Sequence, residues 1–133
     1  MIVKEKEIIE FCKKWLESWT GNNPEKLITF YSDNSYYQDP ANPNGLNSHK
    51  QILPYFKKLL DANPNWKWEV EEVFPTNKGF VLKWKATIPI GKEEIIELGM
   101  DILEIENGKI TRNEVYFDRT KFLSLLELLR TQK

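Results

Sequence analysis

Phe80-Val81-Leu82-Lys83-Trp84-Lys85-Ala86-Thr87-Ile88 sets Phe80, Leu82, Trp84, Ala86 and Ile88 against Val81, Lys83, Lys85 and Thr87. A period of two places these sets on opposite faces of an extended chain, so the stretch predicts a strand with one buried face. The same period runs backward through Trp66, Trp68 and Val70, which alternate with Lys67, Glu69 and Glu71. A turn at Thr76-Asn77-Lys78-Gly79 joins the two strands, and Pro89 and Gly91 close the second. Residues 93–106 read as a third long strand. Asn107-Gly108 is the strongest two-residue hairpin signal in the chain, and residues 109–117 return as a fourth strand. The second half of the chain therefore predicts a meander of antiparallel strands. Lys67, Glu69, Glu71, Lys83 and Lys85 make its outer face mixed and charged.

Upstream the period is helical. Ile8, Phe11, Cys12, Trp15, Leu16 and Trp19 recur at three and four residues and predict an amphipathic helix over 3–19. Gly21, Asn22 and Asn23 stop it, and Asn23 before Pro24 caps a short second helix over 24–31. Residues 35–38 suit a brief strand, and Asp39 to Gly45 reads as a turn-rich loop. Ser48 with Gln51 forms a capping-box pattern for a third helix, whose apolar face carries Ile52, Tyr55, Phe56, Leu59 and Leu60. Pro54 lacks an N–H in its second turn, which predicts a bend or a late start. Residues 120–129, rich in Leu with Phe122, predict a terminal helix. Helices followed by a meander make an α+β fold, one curved sheet folded against helices, in a single domain over residues 1–133.

Nineteen Lys plus Arg stand against 20 Asp plus Glu, a net charge of -1. No global field then favours nucleic acid or an anionic membrane, and neither is an expected partner. No apolar run approaches the roughly 20 residues that span a bilayer. The first seven residues lack the apolar core of a secretory leader, and a single Cys12 forms no internal disulfide, so the expected location is the cytoplasm. One histidine, His49, and one cysteine leave a Cys/His zinc site without ligands, and no phosphate-binding glycine motif occurs. Neither metal nor organic cofactor is expected, and chemistry falls to carboxylates, tyrosines and a shaped pocket.

This order of elements resembles the nuclear transport factor 2-like superfamily, and within it the SnoaL-like polyketide cyclases and steroid delta-isomerase-like proteins. The resemblance is carried by Phe30-Tyr31-Ser32-Asp33, Tyr36-Tyr37-Gln38-Asp39-Pro40, and Gly45 with Ile52 and Tyr55-Phe56. It continues through Gly99-Met100-Asp101-Ile102-Leu103-Glu104-Ile105, Asn107-Gly108-Lys109-Ile110, and Val115-Tyr116-Phe117-Asp118. It implies a cone: a sheet wrapped around helices, an apolar cavity at the open end, and a homodimer formed through the outer sheet face. The superfamily spans several reactions and members without any, so the residues must decide.

Asp39 matches by position the general base of ketosteroid isomerases, which also sits in an Asp-Pro pair. Its structural alternative is an Asx-turn that orders the loop. Asp101 shares a strand face with Leu103 and Ile105 while Met100 and Ile102 point away, so it is expected among apolar side chains. A carboxyl buried there stays protonated and can donate to a developing oxyanion, the arrangement described for ketosteroid isomerase itself. The position also matches that family's protonated aspartic acid. Trp15 stands where the family carries the tyrosine that completes the oxyanion hole, which turns the reading away from steroid isomerisation. Asp118 matches the aspartate that ends the last strand in SnoaL-like cyclases and limonene epoxide hydrolase-like proteins. Its alternative is an N-cap for the terminal helix. Lys83-Trp84-Lys85 lacks the Arg-x-Asp that epoxide hydrolysis needs.

Asp39, Asp101 and Asp118 are thus the catalytic candidates. Trp15, Tyr37, Tyr55, Phe56, Trp84, Val115 and Phe117 are the expected walls of a site for a small hydrophobic molecule. The tryptophans at this spacing read first as core and second as a ligand platform. His49 reads as solvated and Cys12 as inert core. Three functions follow: a cyclase or isomerase that moves a proton on a carbonyl-containing substrate, a binding module without turnover, or a structural dimer.

Overall fold

The helical period of the first stretch becomes α1 (Ile2–Thr20), and Asn23 caps α2 (Pro24–Ile28) by accepting the Lys26 N–H at 3.1 Å. The computed structural model describes residues 2–131. After α2 come β1 (Tyr31–Asp39), β2 (Asn42–Asn47) and α3 (Ser48–Ala62). Then follow β3 (Lys67–Pro75), β4 (Gly79–Ile90), β5 (Glu93–Glu106), β6 (Lys109–Tyr116) and α4 (Thr120–Thr131). The α+β architecture is as expected, with six strands in the order β2-β1-β6-β5-β4-β3 forming one curved sheet. Its strands are antiparallel except at the β1–β6 junction, which is parallel and departs from an all-antiparallel sheet.

The sequence reading needs four further corrections. The second helix ends at Ile28, because Tyr31 is already paired in β1. The loop read at Asp39 to Gly45 is a tight turn at Pro40-Ala41 followed by the edge strand β2. Gly45 lies at φ 79 under the Tyr36 ring, where a Cβ would stand 2.2 Å from Tyr36 Cε1. The helix cap is Asn47 rather than Ser48, and the Gln51 side chain accepts the Asn47 N–H at 2.7 Å. Finally, α3 starts at Ser48 and contains Pro54, so the late start does not occur.

In β4, burial alternates as the opening stretch predicts: Phe80, Leu82, Trp84, Ala86 and Ile88 are buried. A bulge between Val70 and Glu72 shifts the phase of β3, so that Val73 turns inward where strict alternation would place Glu72. The core joins Cys12, Trp15, Leu16 and Trp19 of α1 and Ile52, Phe56 and Leu60 of α3 to the inner sheet face. The outer face is less charged than β3 and β4 suggest. Ile96, Leu98 and Met100 of β5 and Tyr116 of β6 form an apolar strip, each 42–51% exposed. Among the described residues no helix is long and apolar enough to cross a membrane.

Candidate active site

Between the helices and the inner sheet face lies a cavity of about 130 Å³. Trp15, Leu16 and Trp19 of α1 and Tyr55 and Leu59 of α3 form one side. Trp68, Trp84, Asp101 and Val115 come from the sheet, while Tyr37, Asp39, Pro40 and Ala41 come from the β1 end. Asn63, Trp66, Phe117, Arg119 and Phe122 complete the lining. All five tryptophans of the chain face this space. Among the described residues no three His, Cys, Asp or Glu side chains gather as metal ligands do.

Asp39 closes the end of β1 and does two things at once. Its Oδ1 accepts the backbone N–H of Ala41 at 3.0 Å and of Asn42 at 2.9 Å, and the Asn42 side-chain amide at 2.9 Å, which is the Asx-turn expected of Asp-Pro. Its Oδ2 accepts the hydroxyls of Tyr37 at 2.8 Å and Tyr55 at 2.5 Å, on the cavity side. Burial pushes both phenols above their ordinary range, and the Asp39 carboxylate adds to the shift because it holds their protons in place.

Asp101 is fully inside. Its Oδ1 accepts the Trp84 indole N–H at 2.7 Å, and its Oδ2 accepts the Asn113 amide at 2.9 Å. Asn113 in turn accepts the Tyr31 hydroxyl at 2.7 Å. Gly99 makes this possible: the Trp84 ring lies so close that a Cβ at residue 99 would stand 2.2 Å from Trp84 Cζ2. Burial pushes the Asp101 carboxyl from 3.8 up to about 7; the Asn113 and Trp84 donors oppose the rise, and the charge of Asp39 adds to it. The group is thus poised to hold or release a proton near neutrality. The Trp15 indole N–H is buried toward the Tyr31 hydroxyl without reaching hydrogen-bond geometry, which leaves this donor unpartnered.

A family model for the SnoaL-like domain matches residues 12–113. The chain belongs to the SnoaL-like domain family. Among solved structures it is similar to a protein with a ketosteroid isomerase-like fold from Catenulispora acidiphila DSM 44928, in complex with trimethylamine. That pair has 20% identity and a TM-score of 0.71, covering 82% of this chain and 85% of the other. TerC co-crystallised with polyporic acid gives 14% identity and a TM-score of 0.75, over 90% of this chain and 98% of the other. A protein regarded as a SnoaL-like polyketide cyclase from Shewanella putrefaciens CN-32 gives 14% identity and a TM-score of 0.75, over 93% and 86%. The family match, together with these likenesses of fold, supports the nuclear transport factor 2-like superfamily. Among curated proteins none matches.

In this SnoaL-like domain Asp39 and Asp101 line one cavity with Trp15, Tyr37, Tyr55, Trp84, Val115 and Phe117. Asp118 lies outside this lining. Its carboxylate accepts the Thr120 N–H at 2.9 Å and the Thr120 hydroxyl at 2.6 Å, capping α4 from solvent. Those two donors hold it below the usual carboxylate range. Phe56 is outside it too: fully buried, it packs against Trp19, Tyr31 and Tyr37 behind the cavity wall. His49 is bonded rather than solvated, with Nε2 2.8 Å from the Tyr31 carbonyl oxygen. Cys12 is core, and burial pushes its thiol up to about 12.

The sequence reading missed Asn113 and Arg119. Counting by twos back from Val115 points Asn113 inward, whereas counting forward from Ile110 points it out. The register shift between Glu104 and Ile105, in the pairing of β5 with β6, reconciles the two counts. Arg119 follows the last strand in a turn, where no periodicity reports on it.

Proposed function

We propose that this SnoaL-like domain is a cofactor-independent enzyme of the isomerase or cyclase kind, moving a proton on a small, apolar, carbonyl-containing molecule. The observation that carries the reading is the pair of carboxyls in one aromatic cavity, saturated Asp39 and near-neutral Asp101. Protonated Asp101 donates to the carbonyl oxygen, and the charge that develops there is held away from water. Asp39 takes the proton from the adjacent carbon on Oδ2. Of its five donors only the two phenols bond Oδ2, so a turn of the Tyr55 O–H uncovers that oxygen without disturbing the backbone donors on Oδ1. Return of the proton to a different carbon gives isomerisation, and attack of the enolate carbon on a second carbonyl gives cyclisation. The complexes of similar folds with trimethylamine and with polyporic acid support a small-molecule site.

The test is solvent deuterium exchange into small cyclic ketones, followed by NMR. Asp39→Asn and Asp101→Asn should each slow protein-dependent exchange by roughly 10²–10⁴-fold. Exchange equal to that of buffer, or unchanged in both variants, overturns the assignment. The saturation of Asp39 favours a second reading, a binding module without turnover, in which both substitutions leave ligand affinity nearly intact. For the assembly, we propose a homodimer through the strip formed by Ile96, Leu98, Met100 and Tyr116, because a contiguous exposed apolar band gains by being covered.

A further inference from the structure

Arg119 has more hydrogen-bonding capacity than the protein uses. It lines the cavity mouth beside Pro40, Tyr55 and Phe122, and it is half-buried. A guanidinium carries five N–H donors in a planar fork. The one side-chain bond it makes here runs from Nη2 to the Pro40 carbonyl oxygen at 3.4 Å, at the long limit for such a contact. Among the described residues it has no carboxylate within ion-pair distance.

The obvious partner is already committed. Arg119 lines the same cavity as Asp39 and Tyr55, whose hydroxyl donates to the Asp39 carboxylate. Yet Asp39 Oδ1 is filled by three N–H donors and Oδ2 by two phenols, which leaves no lone pair aimed at the guanidinium. A planar cation with unfilled donors at the rim of an apolar hollow matches one ligand feature above others, a carboxylate held through two parallel N–H···O bonds.

The hollow itself fixes the rest of the ligand. At about 130 Å³ it is close to the 150 Å³ of an apolar cavity that takes benzene, and well short of the roughly 300–1,000 Å³ of drug-sized sites. A single six-membered ring fills it.

We infer that Arg119 is a specificity-determining residue that selects small carboxylate-bearing molecules, with one ring or branched apolar body inside and the acid group at the mouth. The inference rests on the proposed reading that this cavity is where the carbonyl substrate reacts, and it narrows that substrate to an oxo acid. The carbonyl then meets Asp101 at depth while the carboxylate stays with Arg119 at the rim. Neutral polycyclic molecules exceed this volume and lack the group Arg119 recognises.

The test uses the whole chain and two unreactive probes of one shape, phenylacetate and phenylacetamide, followed by tryptophan fluorescence, since every tryptophan lines the site. Phenylacetate should bind about tenfold more tightly, as a charge-assisted pair at a half-exposed site warrants. Arg119→Met should reduce that preference to about twofold or less by weakening phenylacetate more than phenylacetamide, and Arg119→Lys should keep part of it. Added potassium chloride should shrink the preference in the unsubstituted protein, a reading that holds even if Arg119→Met fails to fold. Equal affinity for both probes, no binding of either at millimolar concentration, or a preference that survives Arg119→Met overturns the inference. Because neither probe reacts, lost discrimination with ketone exchange intact defeats the role of Arg119 alone. Intact discrimination with no exchange defeats the catalytic reading alone.

Discussion

Asp101 sits where burial outweighs the hydrogen bonds that oppose it. Removal from water disfavours its charge, and two donors that favour an anion restore only part of the loss. A carbon-13 titration of its carboxyl should give a midpoint of about 7; a midpoint of about 4 would remove the oxyanion donor. The sign for stability follows. The folded protein holds this proton more tightly than the unfolded chain, whose value is 3.8. The contribution of Asp101 to stability is therefore complete below about pH 4 and is lost as pH rises toward 7, at most roughly 1.4 kcal/mol per pH unit over that window. Catalysis that needs Asp101 as a proton donor should decline above about pH 7. Urea denaturation across pH, set beside the pH profile of exchange, reads both effects in one protein.

At the scale of elements, the start of α4 shows how one motif can fit two jobs. Asp118-Arg119-Thr120 fits both a catalytic aspartate and a helix start, and no count of residues separates the two. Geometry decides, because Val115 and Phe117 face inward and alternation sends Asp118 out to Thr120. Asp118→Ala should lower helical circular dichroism and melting temperature while leaving proton exchange at the cavity unchanged. A loss of exchange at constant helicity would return Asp118 to the site. The elements themselves were legible wherever period was long and unbroken, as in α1, β4 and β5. They were misread where tertiary pairing took over from local pattern. The edge strand β2 exists because Tyr36, Tyr37 and Asp39 of β1 offer it partners, despite Pro43 and Gly45. The site was legible in Asp39 and Asp101, each of which announces itself by a neighbour or a face. It was hidden in Asn113 and Tyr31, which act through Asp101 and carry no local signal.

At the scale of the molecule, the two sheet faces do different work. The inner face holds the cavity, and the outer face carries the strip centred on Leu98, whose side chain is 51% exposed. Leu98→Lys places a charge in that strip without touching the core. Sedimentation should show a dimer for the unsubstituted chain and a monomer for the variant at the same concentration. A monomer in both cases, or a dimer in both, contradicts pairing through this face.

The parallel junction between β1 and β6 brings Tyr31 beside Ile110 and Tyr37 beside Asn113. The wall that carries Asp39 is thus fastened to the wall that carries Asp101 only when chain near residue 116 is in place. During synthesis, the amino-terminal half can pack Phe56 on Trp19, Tyr31 and Tyr37 but lacks the inner sheet face that completes the cavity. Closure of the container late in the chain should make folding slow for its size, and neither half by itself should hold a ligand.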